Sequence, residues 1–365
     1  MRVSRAHEVL TFLAVLCVTS CAESDGATGR GRQQRSLVDK DLVRLDDAGE
    51  PILARPEWLS TDAEGRYFVS DRSDKNVKVY GPDGRRALTV GRPGRGPGEF
   101  AALLTAQVYG DSMVAYDFEG ARLSVFTRHG RFTRAISLSR LPFIPFSVRV
   151  VDDSLFLAIA AMPGGERGAA LALLRPNGAV VSSFFTLRRY LGTNPQVLQY
   201  VGIMADGAHG VVFAGVAGGD SVWAFNYHGK RLGSAPVDPV QPLVTTRRLV
   251  EQNGGQARRA DGGWVVDGQR SLMQMVALDS ASVAMQVSVF SAQFGVDLLD
   301  GGTIVVAAVD PGGPMHTIAR RDLDGGLLGR SRAGAPLVMR YAGPEQDTYR
   351  IAELRLETAT GGPRR

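Results

Sequence analysis

The sequence predicts an all-β fold assembled from a repeated four-stranded unit, and two observations indicate this. Short β-type runs separated by Gly, Asp, Asn and Pro turns fill the chain. The segments YFVSDRSDKNVKVYGPDGR (residues 67–85) and SMVAYDFEGARLSVFTRHGR (residues 112–131) also share one layout. Each has a β-branched or aromatic run, an aspartate, a polar loop, a strand of period-two alternation and a tight turn that closes on Gly-Arg. The two segments therefore correspond to the same strands and turns of two successive repeat units.

The spacing of the Gly turns predicts how many units there are. Gly84, Gly130, Gly178 and Gly229 follow one another at steps of 46, 48 and 51 residues, and Gly325 follows after 96. The doubled last step predicts a degraded turn near residue 277, for which Leu278–Ala281 is the candidate. A four-stranded propeller blade takes about 40 to 50 residues. The sequence therefore predicts a six-bladed β-propeller of four-stranded antiparallel blades.

The chain ends predict how such a ring would close. Residues 41–49 have the pattern of a late strand and turn without the earlier strands of a blade, and residues 348–357 offer partner strands. Pairing the two ends would leave no exposed edge. We expect one propeller domain over residues 37–358 and a disordered tail at 359–365. The irregular stretch at residues 241–261 leaves seven blades open as an alternative, with six preferred.

The N-terminus has the features of an export signal. Arg2 and Arg5 precede an apolar run at residues 9–18, which is too short to span a bilayer permanently. Cys21 then follows Val-Thr-Ser, as in a bacterial lipobox. We expect a signal peptide at residues 1–20, lipidation of Cys21 and a flexible tether over residues 21–36. The alternative is an ordinary signal peptide that contains a cysteine by chance.

Lipidation would hold the protein on a bacterial envelope membrane, either the outer membrane facing the periplasm or the cell surface.

The charge pattern argues against nucleic acid as a partner. The formal net charge is +5, and 42 basic residues are scattered among 37 acidic ones rather than gathered in a stripe.

Three segments of the first unit carry a family resemblance: WLSTDAEGRYFVSD (residues 58–71), NVKVYGPDGR (residues 76–85) and GRPGRGPGEF (residues 91–100). Together they resemble the six-bladed β-propeller family of bacterial lipoproteins, related to NHL-repeat and TolB-like propellers. In that family a V-x-D element ends a strand and a G-x-G-P-G-E-[FY] connector follows an early blade. The third and fourth units lack the V-x-D aspartate.

Blade topology assigns candidate binding residues to one face. With strands a to d in each blade, the b–c loops and the d–a connectors emerge together on what we call the upper face, and the a–b and c–d turns emerge on the lower face. The upper-face candidates for ligand binding are Asp71, Arg72, Asp117, Arg92, Arg95 and Glu99. The alternative is structural: the aspartates accept amide hydrogen bonds within their own loops, and Glu99 pairs with a nearby arginine.

The glycine-rich stretch at residues 91–100 does not have the context of a phosphate loop. A P-loop needs Gly-Lys-Ser/Thr before a helix, whereas Gly-Glu-Phe and predicted strands follow here. A dinucleotide fingerprint would need a βαβ unit. We therefore expect a d–a connector between the first two blades.

Catalytic signals are weak. The histidines after the signal, His129, His209, His228 and His316, form no metal-binding motif, and no Gly-x-Ser-x-Gly elbow is present. We expect no cofactor, although Asp220 and Asp310 leave calcium open.

These features favour a membrane-anchored, non-catalytic binding or scaffold protein that presents its loop face to a protein, peptide or glycan of the envelope. The first alternative is a calcium-dependent hydrolase or lyase of the lactonase type. The second is a structural subunit of an envelope complex.

Overall fold

A computed structural model describes residues 35–47, 53–141, 143–160, 168–186, 202–216, 221–237, 257–260, 263–266, 270–289, 299, 301–310, 313–343 and 348–358. These residues form strands, turns and loops. Cys21, Asp220, the predicted signal peptide and the predicted C-terminal tail lie outside them. No helix in these ranges is long and apolar enough to cross a membrane.

The first three blades follow the N-terminal strand, β1 (Arg35–Arg44). Blade 1 consists of β2 (Pro56–Thr61), β3 (Tyr67–Asp71), β4 (Asn76–Tyr80) and β5 (Arg86–Val90). Blade 2 consists of β6 (Leu103–Tyr109), β7 (Ser112–Asp117), β8 (Arg122–Thr127) and β9 (Phe132–Ser137). Blade 3 consists of β10 (Pro145–Asp152), β11 (Leu155–Ala160), β12 (Ala169–Leu174) and β13 (Val180–Thr186).

The last three blades complete the ring. Blade 4 consists of β14 (Ile203–Ala208), β15 (Val211–Val216), β16 (Ser221–Asn226) and β17 (Arg231–Pro236). A separate two-stranded sheet of β18 (Ala257–Ala260) and β19 (Gly263–Val266) precedes blade 5. Blade 5 consists of β20 (Arg270–Ala277), β21 (Ser282–Val289), β22 (Gly302–Val309) and β23 (Met315–Leu323). Blade 6 consists of β24 (Gly326–Arg330), β25 (Pro336–Tyr341), β26 (Tyr349–Thr358) and β1.

The ring closes through the chain ends, which confirms the predicted six-bladed propeller. β1 pairs antiparallel with β26 from Arg35↔Thr358 to Arg44↔Arg350 and so becomes the outer strand of blade 6. Blade 6 also touches blade 1 directly, because β24 pairs parallel with β2 at Leu59↔Gly329. The closing strand begins earlier than predicted, so residues 35 and 36 of the expected tether lie in a strand.

The structure corrects the repeat phase in blade 5. Leu278–Ala281 is its a–b turn rather than a c–d turn, and the c–d turn lies at residues 310–314. Gly325 lies in the two-residue d–a connector between β23 and β24. The strands of blade 5 have eight or nine residues, whereas those of blade 1 have five or six, so the turns of blade 5 do not follow the 48-residue spacing.

The core lies between neighbouring blades. All five residues of β3 are buried, because both faces of the strand are covered, whereas the outer strand β9 is mostly exposed. The cluster between blades 1 and 2 contains Phe68, Phe100 and Met113. Phe100 is the last residue of the 91–100 connector, so this connector is fixed to the core at its end.

Candidate functional site

Asp71 lies at the end of β3 and is fully buried. Its Oδ1 accepts hydrogen bonds from the amides of Arg55 (3.1 Å), Ser73 (3.1 Å) and Asp74 (3.2 Å). Its Oδ2 accepts hydrogen bonds from the Ala54 amide (2.7 Å) and from Lys78 Nζ (2.9 Å). The carboxylate thereby joins the b–c loop of blade 1 to the segment that enters β2.

These donors determine the ionisation of Asp71. Burial alone would raise the pKa of its carboxyl, but the Lys78 ammonium and the amides of Ala54 and Asp74 outweigh burial and hold the pKa below its ordinary value. A fully buried carboxylate with five donors does not reach a ligand. The structural alternative therefore describes Asp71.

Asp117 occupies the same position in blade 2, at the end of β7, and is also fully buried. Its Oδ1 accepts a hydrogen bond from the Ala102 amide at 2.9 Å, and its Oδ2 lies 3.3 Å from Arg122 Nη2. Asp117 therefore makes the same connection with fewer donors. Both aspartates tie a loop to the entry segment of their own blade, and neither lines a cavity described below.

The 91–100 connector is closed by its own hydrogen bonds. The Gly96 amide donates to Glu99 Oε2 (2.8 Å), the Gly94 amide to the Phe100 carbonyl (3.0 Å) and the Phe100 amide to the Arg92 carbonyl (2.9 Å). A phosphate cradle would need such amides free, so this geometry disfavours one. Gly91 has a φ of 78°, and a Cβ there would lie 2.2 Å from the Phe100 ring, which explains the need for glycine.

Arginines hold this connector from two sides. Arg122 donates to the carbonyls of Arg95 (3.1 Å), Gly96 (3.1 Å) and Glu99 (2.9 Å). Arg92 Nη2 lies 2.8 Å from Glu99 Oε1. The Gly96 amide, followed by Arg92, holds the pKa of Glu99 below its ordinary value.

Of the six predicted upper-face residues, the structure brings only Arg72 to a cavity. The side chains of Arg92 and Arg95 are 77% and 86% exposed and lie on the connector. Arg95 faces Glu119 at 3.5 Å, and Glu99 is held by Arg92. These three residues therefore contribute to the rim of the upper face rather than to its centre.

The main upper-face concavity is a cavity of about 550 Å³ at the mouth of the ring, which we call the upper cavity. Its charged lining residues are Arg55, Glu57, Arg72 and Arg149. Its other lining residues combine small polar side chains with apolar ones: Ala54, Pro56, Ser73, Leu104, Thr105, Phe146, Ser147, Met204, Met273, Gln274, Leu299 and Tyr349. Half of these sixteen lining residues are polar or charged, so the upper cavity offers both charged groups and apolar contacts to a ligand.

Arg149 is the unusual residue of the upper cavity. It lies on β10 and is only 8% exposed, and its guanidinium carbon stands 3.6 Å from the centre of the Trp58 ring. Nη2 donates to Gln274 Oε1 at 3.4 Å, whereas the buried Nε and Nη1 have no hydrogen-bond partner within the described part of the protein. Burial lowers the pKa of Arg149 to about 10, and the charges of Asp206 and Glu57 oppose this, so the group is a cation at neutral pH.

A second cavity of about 820 Å³, the lower cavity, lies at the opposite mouth. Its Arg330 donates to the carbonyls of Ala277 (2.8 Å), Gly207 (3.0 Å) and Val150 (3.1 Å), which belong to three different blades. Asp206 Oδ2 accepts a hydrogen bond from the Ala277 amide at 2.9 Å, and burial raises the pKa of Asp206. These charges join blades across the ring.

The four histidines after the predicted signal peptide do not line the upper cavity. His129, His209 and His228 occupy lower-face turns, and His316 Nδ1 lies 3.4 Å from Asp310 Oδ2. Among the described residues, no group of three or more His, Cys, Asp or Glu side chains is placed to hold a metal ion.

Comparison with known proteins agrees with the fold. The model of the DUF5128 family, a 6-bladed beta-propeller, matches residues 59–155. A protein from Bacteroides fragilis described as exported is 11% identical, with a TM-score of 0.58 and coverage of 88% of this chain and 95% of that chain. A DUF4221 family member from Bacteroides vulgatus is 10% identical, with a TM-score of 0.60 and coverage of 90% and 100%.

An enzyme is also similar in structure. The PQQ-bound aldose sugar dehydrogenase from Streptomyces coelicolor is 13% identical, with a TM-score of 0.50 and coverage of 89% of this chain and 99% of that chain. No curated protein matches this chain. At these identities the likeness shows the six-bladed fold, and function has to be argued from the site.

Proposed function

We propose that this protein is a non-catalytic binding protein of the bacterial envelope, exported, held to a membrane by lipid on Cys21, and binding its partner at the upper cavity. The partner is a protein, peptide or glycan of the envelope. The lipobox pattern before Cys21 supports the anchor, and the exported relative from Bacteroides fragilis supports the compartment.

The observation that carries the proposal is the contrast between the two mouths of the ring. In the lower cavity, Arg330 uses its guanidinium on three backbone carbonyls. In the upper cavity, Arg149 has no hydrogen-bond partner for Nε and Nη1 among the described residues, which is costly unless a ligand occupies the site. The described lining of the lower cavity also has unpaired atoms, Asp206 Oδ1 and Gln107 Nε2, but its arginine is satisfied, so the upper cavity is the better site for a ligand that needs a cation.

The lining of the upper cavity favours binding over catalysis. Its described residues include no His, Cys or Asp, and its one carboxylate belongs to Glu57. Glu57 Oε1 lies 3.3 Å from Arg55 and 3.1 Å from Arg72, so it is held as an ion pair. A hydrolase would need a nucleophile and a general base in mutual reach; the described lining includes the hydroxyls of Ser73, Thr105 and Ser147, but its one carboxylate is held by two arginines.

The test is capture of the partner from envelope extract with two blocking variants. Ser73→Trp places a large ring at the rim of the upper cavity, and Ala333→Trp does the same at the lower cavity. Both positions are exposed, so both variants are expected to fold. We expect Ser73→Trp to lose a partner that the wild type and Ala333→Trp retain. Equal capture by all three proteins would contradict binding at the upper cavity.

The anchor is tested separately by cell fractionation. Wild type is expected in the membrane fraction, and Cys21→Ser is expected in the soluble fraction because it cannot be acylated. A Cys21→Ser protein that stays in the membrane fraction would contradict the lipid anchor.

A further inference from the structure

The guanidinium of Arg149 is prepared to receive a negatively charged group. Its carbon lies over the Trp58 ring, 3.6 Å from the ring centre, and the Gln274 contact at 3.4 Å is long for a hydrogen bond. Nε and Nη1 are buried and have no acceptor among the described residues. An arginine stays charged at neutral pH, and an oxyanion reaches these two donors once the side chains that cover them move aside.

The surrounding charges also favour an anion. The described lining of the upper cavity contains three arginines and one carboxylate, Glu57. Arg55 and Arg72 share that carboxylate, and this leaves Arg149 as the cation that is not paired in the cavity. An incoming anion therefore meets a positive site.

One negative charge matches the one unpaired cation. Arg149 is the only arginine of the described lining that does not share Glu57, so a monoanion balances it and a dianion would leave one charge uncompensated. A carboxylate carries one charge on two coplanar oxygens, which suit the planar donors of a guanidinium. A phosphate monoester would bring the second charge.

The walls beside Arg149 are apolar. Phe146 lines the cavity and is 46% exposed, a high fraction for a phenylalanine, and Met204 and Leu299 also line it. An exposed apolar surface next to a buried cation suits a ligand that has an apolar group beside its charge.

We propose that the upper cavity binds an organic carboxylate with an apolar substituent, and that Arg149 receives the carboxylate while Phe146, Met204 and Leu299 contact the substituent. This inference rests on the proposed function, because it names the ligand chemistry of the same cavity. The C-terminus of a peptide as the source of the carboxylate agrees with the proposed partner class, whereas a fatty acid would replace that class, and the titration below distinguishes the two.

The experiment is calorimetric titration of the wild-type protein with matched probes. Hexanoate is compared with neutral hexanamide and with hexyl phosphate, and N-acetyl-leucyl-leucine is compared with its C-terminal amide. We expect each carboxylate to bind at least about ten-fold more tightly than its amide, since charge-assisted hydrogen bonds are lost with the charge. Hexyl phosphate is expected to bind more weakly than hexanoate. Whichever of hexanoate and the dipeptide binds more tightly identifies the source of the carboxylate.

Variants assign the effect to Arg149. Arg149→Met removes the donors and should abolish the preference for the carboxylate over the amide, and Arg149→Lys, which keeps charge without the planar donors, should weaken hexanoate about ten-fold. Arg134→Met makes the same change on the exposed outer strand β9 and should bind as wild type. If Arg149→Met fails to fold, the comparison of hexanoate with hexanamide on the wild-type protein still tests whether the cavity prefers a carboxylate.

Equal affinity for hexanoate and hexanamide, no binding of either carboxylate, or a wild-type preference in folded Arg149→Met would overturn the inference. Such a result together with capture that Ser73→Trp abolishes would leave the proposed function standing. Chemical turnover of a bound probe would instead contradict the proposed function.

Discussion

Replacing Asp71 by asparagine tests whether the upper-face aspartates are structural. An asparagine side chain has one oxygen, so one carboxylate position becomes an NH₂ group whichever way the amide turns. With the NH₂ at the Oδ2 position, it faces the Ala54 amide and Lys78 Nζ; at the Oδ1 position, it faces the amides of Arg55, Ser73 and Asp74. At least two donors therefore lose their acceptor.

The magnitude follows from these contacts. With the NH₂ at the Oδ2 position, the partly buried Ala54 amide and the buried Lys78 ammonium, which also bonds to Asp74, lose this acceptor, at a cost of about 3 kcal/mol. Asp117→Asn is the matched comparison, because its oxygen can still accept from Ala102 and only the contact with the partly exposed Arg122 is lost. That change costs about 1 kcal/mol. The predicted difference between the two variants is about 2 kcal/mol.

Urea unfolding at neutral pH measures both values, with the m-values compared so that the free energies of unfolding are comparable. The folded pKa of Asp71 is lowered, so its contribution is present above the unfolded pKa near 3.8 and is lost as the pH falls through the folded pKa. The destabilisation of Asp71→Asn relative to wild type should therefore shrink in acid below about pH 4. Equal losses in the two variants, or a larger loss in Asp117→Asn, would refute the structural account of these carboxylates.

Three further predictions concern the connector, the ring closure and metal. Gly91→Ala should lower the free energy of unfolding in urea by about 2 kcal/mol or more, because it adds a Cβ against the Phe100 ring at positive φ. Gly110→Ala, also at positive φ but with open space around its Cβ, should lower it by about 1 kcal/mol. Equal costs would contradict the close contact. Deleting residues 22–44 removes β1 and exposes the edge of β26, so it should lower the melting temperature and cause association in size-exclusion chromatography. Deleting residues 22–34 should do neither. If the protein without residues 22–44 is monomeric and as stable as wild type, the ring closure is contradicted. A calcium chelator should leave the melting temperature unchanged, and a clear shift, or hydrolysis of lactone substrates, would favour the calcium-dependent enzyme instead.

The number of blades could be predicted from the sequence because the tight turns need glycine. Gly84, Gly130, Gly178 and Gly229 all have positive φ in turns between strands c and d, so the backbone itself fixes their spacing. The spacing failed in blade 5, where longer strands moved the c–d turn away from Gly325. Strand length depends on packing between blades, and the turn residues alone do not record it.

The candidate site was harder to predict, since its contacts join distant parts of the chain. Asp71 was correctly placed at a strand end on the upper face, but the donors that enclose it come from the segment before β2 as well as from its own loop. Arg149 was missed because Trp58 and Gln274 reach it from blades 1 and 5. The available signal was a charged residue among the valines of SVRVV; alternation groups Arg149 with Ser147 on the polar face, and it is buried because both faces of this inner strand are covered.

The central claim is that ligand binds at the upper cavity through Arg149, and a proton–nitrogen correlation spectrum of protein labelled at arginine Nε tests it most directly. The Arg149 resonance is identified by its absence from Arg149→Lys. The account predicts that this resonance shifts and saturates as hexanoate is added and stays in place with hexanamide. A stationary Arg149 resonance, while the resonance of Arg330 in the lower cavity shifts with hexanoate, would contradict the account.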